Sequence, residues 1–288
     1  MVSKKAIAID GNCLFYRCFY ATIKQLPYFE SKKLKPTNAL SLFIRIIVKL
    51  IKSNNYDYGL VAFDHSKDTF RKKKLKTYKE GRKKMPSELL CQISDIKKCV
   101  NLMGIKKIEA ENFEADDIIG SFSKLMTQNN VYTEIFSSDK DMLQLINEFT
   151  IVKLLKTGIS DFVEYNLNNF SSNFFGLFPN QVVDFKAISG DKSDHLQGIK
   201  GIGVKTSIEL LKTYKTLDNI YLNLDNFTKK NKEKFVNAKD DVYLFKDLAT
   251  IRTNLFDGFN LNDFKLGAIN YIDLMNFTRA NKLDSLSY

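Results

Sequence analysis

Four short, mostly apolar runs, with acids at or just past their ends, constrain this chain more than any other feature. They are Lys5–Asp10, Tyr58–Asp64, Ile105–Ile108 and Val131–Phe136, the last running at once into Ser137-Ser138-Asp139. Helical patterns alternate with them at Asn12–Ala21, from Pro36 to about Lys52, from Pro86 to Gly104 and at Glu114–Met126. In the last of these Ile118, Ile119, Phe122, Leu125 and Met126 recur at helical spacing. Strand–helix alternation predicts a mostly parallel sheet with helices on both faces. A short helix at Asp141–Ile146 and a fifth strand at Thr150–Leu154 extend the pattern. Beyond about residue 165 the strands stop. The rest reads as helices at Gln181–Ser189, Val204–Thr213, Lys229–Ala238 and Asp241–Leu248, with a last one near Ile272–Arg279. The chain therefore divides into an α/β unit over residues 1–165 and a helical subdomain over 166–288.

Open parallel sheets present ligands at the carboxyl ends of their strands. Acids collect there: Asp10 ends the first run and Asp64 the second. Glu114, Asp116 and Asp117 open the helix after the third, and Asp139 and Asp141 follow the fourth. Asp191 and Asp194 stand in a later glycine-rich turn. Singly, such acids complement helix dipoles, cap helices or sit in turns. Together, nine carboxylates within about a nanometre cannot all stay ionised without compensation. Hard divalent cations with oxygen ligands supply it, and two magnesium ions suit phosphodiester chemistry. The four cysteines, Cys13, Cys18, Cys91 and Cys99, have no zinc spacing and read as buried reduced thiols.

The net charge of the 288-residue chain is +11. Residues 71–84 hold nine basic side chains and one acid, a net +8 close behind Asp64. The bland reading is a solvated loop. The functional one is a mobile basic arm over about residues 66–90, capturing a backbone phosphate, with Tyr78 stacking on a base. Ala39–Ile51 is too short and too charged to span a membrane, and Ala6–Ile9 is too short for a signal-peptide core. No membrane partner and a cytoplasmic location are expected.

Gly198 to Thr206 superficially suggests a nucleotide loop. Val204 separates Gly203 from Lys205, and no strand precedes the turn, so a Walker motif is excluded. A hairpin between two helices fits better, with helix N-terminal amides meeting DNA phosphates without reading bases.

Taken together, these segments resemble the 5′→3′ exonuclease and flap endonuclease family, in particular the 5′-nuclease domain of bacterial DNA polymerase I standing alone. The matching residues are Ala8-Ile9-Asp10-Gly11 with Arg17, Ala62-Phe63-Asp64 with Phe70-Arg71, and Tyr78-Lys79 with Arg82. They continue with Glu114-Ala115-Asp116-Asp117-Ile118, Ser138-Asp139-Lys140-Asp141, and Gly190-Asp191-Lys192-Ser193-Asp194 running into Gly198–Lys205. The resemblance implies a PIN-like sheet followed by a helix–hairpin–helix type grip. It implies two metal sites, Asp10, Asp64, Glu114, Asp116 and Asp117 serving one, Asp139, Asp141, Asp191 and Asp194 the other. The ions would be Mg2+, with Mn2+ able to substitute, and a K+ is implied at the hairpin. Lys79 and Arg82 would touch the scissile phosphate and Arg17 the single-stranded 5′ segment. Arg71, Tyr78, Lys186, Gly198, Lys200, Gly201, Gly203 and Lys205 would contact DNA. The implied partners are DNA with a 5′ end or flap, an RNA–DNA primer and a DNA polymerase, met by a monomer.

The chain departs from the family pattern at His195 and Gln197, where Asn and Pro are usual. Two other readings compete: a PIN-type ribonuclease, which usually lacks the glycine hairpin, and a non-catalytic DNA-binding protein. The second leaves nine placed acids without a purpose.

Overall fold

The computed structural model describes residues 4–157 and 161–283. Its sheet runs β1 (Lys5–Asp10), β2 (Tyr58–Asp64), β3 (Lys106–Ala110), β4 (Tyr132–Ser137), β5 (Thr150–Thr157) and β6 (Asp161–Tyr165) along the chain. In space the order is β3-β2-β1-β4-β5-β6. The first five strands are parallel and β6 runs antiparallel to β5. The expected mostly parallel sheet is therefore present. The edge strand β6 was not anticipated: its side chains are exposed or half-buried, so it carries no continuous apolar run.

Helices α1 (Gly11–Ala21), α2 (Leu26–Ser31), α3 (Asn38–Asn54), α4 (Phe70–Lys74), α5 (Ser87–Leu90), α6 (Ile93–Leu102) and α7 (Ala115–Gln128) interleave with the strands. The stretch from Pro86 to Gly104, read as one helix, is two. Its turn surrounds Gln92, a fully buried side chain that donates to the Glu88 carbonyl at 2.8 Å and accepts from Leu40 N–H at 3.1 Å. The helix expected at Asp141–Ile146 is a 3-10 turn, Lys140–Leu145. After the sheet come α8 (Leu167–Asn173), α9 (Val182–Ser189), α10 (Val204–Tyr214), α11 (Leu217–Leu222), α12 (Lys229–Asn237), α13 (Lys239–Ala249) and α14 (Tyr271–Ala280).

Alternation along β1 shows why both faces must be covered. Ala6 and Ala8 pack with α7 and the later helices, while Ile7 and Ile9 pack with α1, α3 and α6. Among the described residues no helix is long and apolar enough to cross a membrane. All four thiols are free. Cys18 and Cys99 are buried as expected, but Cys91 is exposed.

Candidate functional site

The chain order reverses at β1: it builds outward through β2 and β3, then returns with β4 on the other side. A crevice opens at such a reversal, beyond the carboxyl ends of the strands. Asp10 stands at the end of β1 and Asp139 just after β4, so the crevice is acidic. Asp10 caps α1 by accepting Cys13 N–H at 2.9 Å and takes the Ser137 hydroxyl at 2.8 Å. Ser137 in turn accepts from Asp139 N–H at 3.0 Å, and Asp139 accepts from Asp141 N–H at 2.8 Å. Across the sheet, Asp64 accepts from Ala115 N–H at 2.8 Å and from the Asn12 amide at 2.6 Å. This draws the start of α7, with Glu114 and Asp116, towards α1.

Burial makes these carboxylates uncomfortable as anions. It pushes Asp10 up to about 7, helped by the charges of Asp64 and Asp139 and opposed by its Cys13 and Ser137 hydrogen bonds. Burial and then the charge of Asp139 drive Asp116 well above the ordinary carboxylate range. The same two causes push Asp141 up to about 7 against the pull of Lys186. Burial would raise Asp191 too, but Lys186 and the Ser193 donors hold it at about 2.

Cationic side chains thread the cluster. Lys79 donates to Glu114 at 2.8 Å, and Arg82 to Asp194 at 2.9 Å. Lys186 bridges Asp141 and Asp191, with 2.5 Å to the latter. Burial disfavours the ammonium forms of Lys79 and Lys186, yet the surrounding acids hold both pKa values above the ordinary lysine value. Among the described residues no three Asp, Glu, His or Cys groups stand in a geometry that could hold an ion. Several carboxylate oxygens are instead engaged by ammonium and guanidinium groups. The donor set nonetheless fits hard divalent cations: it is all oxygen, and three of its members are destabilised as anions by burial.

Four assignments from the sequence need correction. Asp117 is fully buried, and its two oxygens take Arg71 at 2.6 and 2.7 Å, with Arg252 N–H at 2.8 Å. It has no face left for a metal. Arg71 is equally buried and also donates to the carbonyls of Leu248 and Thr250, so it is no DNA contact. Tyr78 is 4% exposed, its hydroxyl directed at Glu114 (3.2 Å) and Asp194 (3.4 Å), which leaves no ring face for a base. Lys186 lies inside the acidic cluster rather than on a duplex surface. The basic segment is correspondingly not a free arm. It folds back onto the cleft, with Lys79 N–H donating to the Asp194 carbonyl at 3.2 Å. Arg17, expected at the 5′ strand, donates to the carbonyls of Leu155 and Lys156 at the end of β5.

The glycine hairpin lies where expected, between α9 and α10. Gly198 has φ 65, and a Cβ there would stand 2.4 Å from Gly190 N and 2.6 Å from the Ile188 carbonyl, so two stretches of backbone touch. Lys200, Gly201, Gly203 and Lys205 are exposed around the start of α10. Asn12, Ser137 and Ser193 hold the acids in place, a role for which the sequence offers one signal, their position within two residues of an acid.

Two family models match in succession. The 5′-3′ exonuclease N-terminal resolvase-like domain covers residues 5–174, and the 5′-3′ exonuclease C-terminal SAM fold covers 177–271. A 5′-3′ exonuclease of Mycoplasma pneumoniae is 44% identical over 260 residues, 90% of this chain and 88% of that protein. DNA polymerase I of Bacillus subtilis is 38% identical over 252 residues, 87% of this chain but 28% of that larger protein. A solved complex of the bacteriophage T5 flap endonuclease with DNA and metal ions has a TM-score of 0.73 at 20% identity, covering 97% of this chain and 98% of that one. That likeness speaks for the fold. With both models matching in order and a relative so similar along nearly its whole length, the chain belongs to the 5′-3′ exonuclease family.

Proposed function

We propose that this protein hydrolyses DNA phosphodiester bonds from a 5′ end and at 5′ flaps, using divalent cations held by Asp10, Asp64, Glu114 and Asp116 on one side and by Asp139, Asp141, Asp191 and Asp194 on the other. The observation that carries the reading is the buried acidic crevice at the sheet reversal, laced with Lys79 and Lys186 and adjoining an exposed glycine hairpin. Bound Mg2+, or Mn2+ in its place, would supply an activated water and offset charge on the phosphate. The chain's own residues do the rest. The amides at the start of α10, with Gly198, Lys200, Gly201, Gly203 and Lys205, meet backbone phosphates of the duplex. Arg82, half of whose side chain is exposed, draws the scissile phosphate towards Asp194. Lys79 leaves Glu114 for a phosphate oxygen as charge develops there. Lys186 holds Asp141 and Asp191 together and offsets their charge where cations would otherwise do so.

The working unit in this reading is a cytoplasmic monomer of two parts, residues 1–165 and 166–288. It acts on 5′ flaps and RNA–DNA primers beside a DNA polymerase. A K+ at the hairpin belongs to the same reading; the Gly201 carbonyl there accepts from the Lys234 ammonium at 3.0 Å. A 5′-labelled flap substrate tests the proposal, with and without magnesium, using wild type and Asp194→Ala. Magnesium-dependent release of the flap by wild type, lost in the variant with DNA binding kept, is expected. Cleavage of single-stranded RNA with no action on the flap would overturn it.

A further inference from the structure

Side chains rather than a neighbouring strand hold much of a strap from Leu248 to Leu255, made of the last two residues of α13 and the stretch that follows it. Arg71 donates to the Leu248 carbonyl at 2.7 Å and to the Thr250 carbonyl at 3.1 Å. Gln144 grips the next residues from both ends of its amide, donating to the Ala249 carbonyl at 3.0 Å and accepting Ile251 N–H at 3.0 Å. Asp117 accepts Arg252 N–H at 2.8 Å, and the Ser121 hydroxyl accepts Leu255 N–H at 3.0 Å. The strap also lies hard against α7. A Cβ on Gly120 would stand 2.4 Å from Ile251 Cγ2 and 3.0 Å from the Arg252 carbonyl.

The origin of the gripping side chains gives the arrangement its meaning. Arg71 belongs to the basic segment that carries Lys79. Asp117 and Ser121 belong to α7, whose start carries Glu114 and Asp116. Gln144 belongs to the 3-10 turn that carries Asp141 and follows Asp139. Three elements that bring acids and a lysine to the crevice are thus tied to the same eight residues of backbone.

We infer that Gln144 is a positioning residue for the acidic site: by clamping the strap at Ala249 and Ile251, it fixes the Asp139–Asp141 turn relative to the Glu114–Asp116 end of α7. The inference rests on the reading of the crevice as a divalent-metal centre. Groups that hydrogen-bond a metal's ligands typically change affinity or activity by about 10–100-fold when removed, and Gln144, which acts one step further out through the strap, is placed at the low end of that range.

Gln144→Met keeps the length and bulk of the side chain and removes both hydrogen bonds. Three quantities are measured: kcat and KM on the labelled flap, the melting temperature without metal, and the magnesium concentration that half-saturates the rise in melting temperature without DNA. The variant is expected to fold, to keep KM within about twofold, and to lose about tenfold in kcat while needing about tenfold more magnesium for half-saturation. An unchanged kcat and half-saturation, or a rise in KM alone, overturns the inference. Should Gln144→Met fail to fold, Ser121→Ala releases the Leu255 end of the strap and is read by the same criteria. A wild-type protein that neither cuts the flap nor responds to magnesium overturns the metal-centre reading itself. An active wild type with unaltered variants overturns the positioning role alone.

Discussion

Arg71 and Asp117 form a two-pronged ion pair, with N–O distances of 2.6 and 2.7 Å, and neither side chain is more than 3% exposed. The pair ties the foot of the basic segment to the first turn of α7. Planar guanidinium and carboxylate match in such a geometry, and the buried charges are well satisfied. Removing one partner strands the other without water. Arg71→Ala should therefore cost on the order of 3–5 kcal/mol in stability. The milder Arg71→Lys should leave the salt dependence of DNA binding as in wild type, because the residue meets no phosphate. Urea unfolding and a salt series in a binding assay check the two halves. A flatter salt dependence in Arg71→Lys would return the residue to the DNA interface.

The acidic crevice predicts an unusual pH dependence. Asp10 and Asp141 are pushed up to about 7 from an ordinary 3.8, by burial first and neighbouring carboxylates second. A carboxyl whose pKa rises on folding stabilises the native state while protonated. Its contribution is complete below the unfolded value and is lost as pH climbs through the folded one. Asp191, held at about 2, is already ionised across that window and adds no slope there. In EDTA, the melting temperature should fall from about pH 5 to about pH 7 and level off above, by roughly 2–4 °C for each kcal/mol lost. Millimolar magnesium should restore it at the upper end. A flat profile in EDTA with no magnesium response would count against strain among these acids.

Lys79 adopts φ 54, a left-handed backbone that costs a non-glycine residue about 1–3 kcal/mol and persists only where its surroundings impose it. Here they do: its N–H is held by Asp194 and its ammonium by Glu114. Lys79→Ala should slow cleavage by about 100-fold with DNA affinity nearly unchanged. Lys79→Gly should be as slow but melt higher than the alanine variant, since glycine takes that φ freely. Single-turnover rates, anisotropy titrations and melting curves separate the effects. An unimpaired rate in Lys79→Ala would remove the lysine from the chemistry.

His195 has φ 61 and an exposed side chain in the turn behind Asp194. Asn tolerates this conformation well, and β-branched residues do not. His195→Asn should retain full cleavage and match or slightly exceed the wild-type melting temperature, while His195→Val should cost about 1–2 kcal/mol. A loss of activity in His195→Asn with stability intact would give the imidazole a role beyond the turn.

Much of this was legible in the linear order of residues because it depends on local periodicity. β1 and β2 could be bounded from their apolar runs, and the start of α10 from the turn before it. The acids past each strand marked the crevice, because parallel strands must all point their carboxyl ends the same way. Hidden from that reading were relations between distant residues. Arg71 lies in a run of lysines and looks like another phosphate contact, yet it alone of the four turns inward, to an aspartate 46 positions on. Tyr78 equally has the look of a stacking ring, yet it is buried with its hydroxyl against Glu114 and Asp194.

The sequence by itself thus determined the layers of the fold and the family, since hydrophobic spacing and motif order are properties of neighbouring residues. Only the tertiary structure decided which charged groups pair with one another. That choice depends on desolvation and on which side chains the packing of α7, the 3-10 turn and the strap after α13 brings within bonding distance.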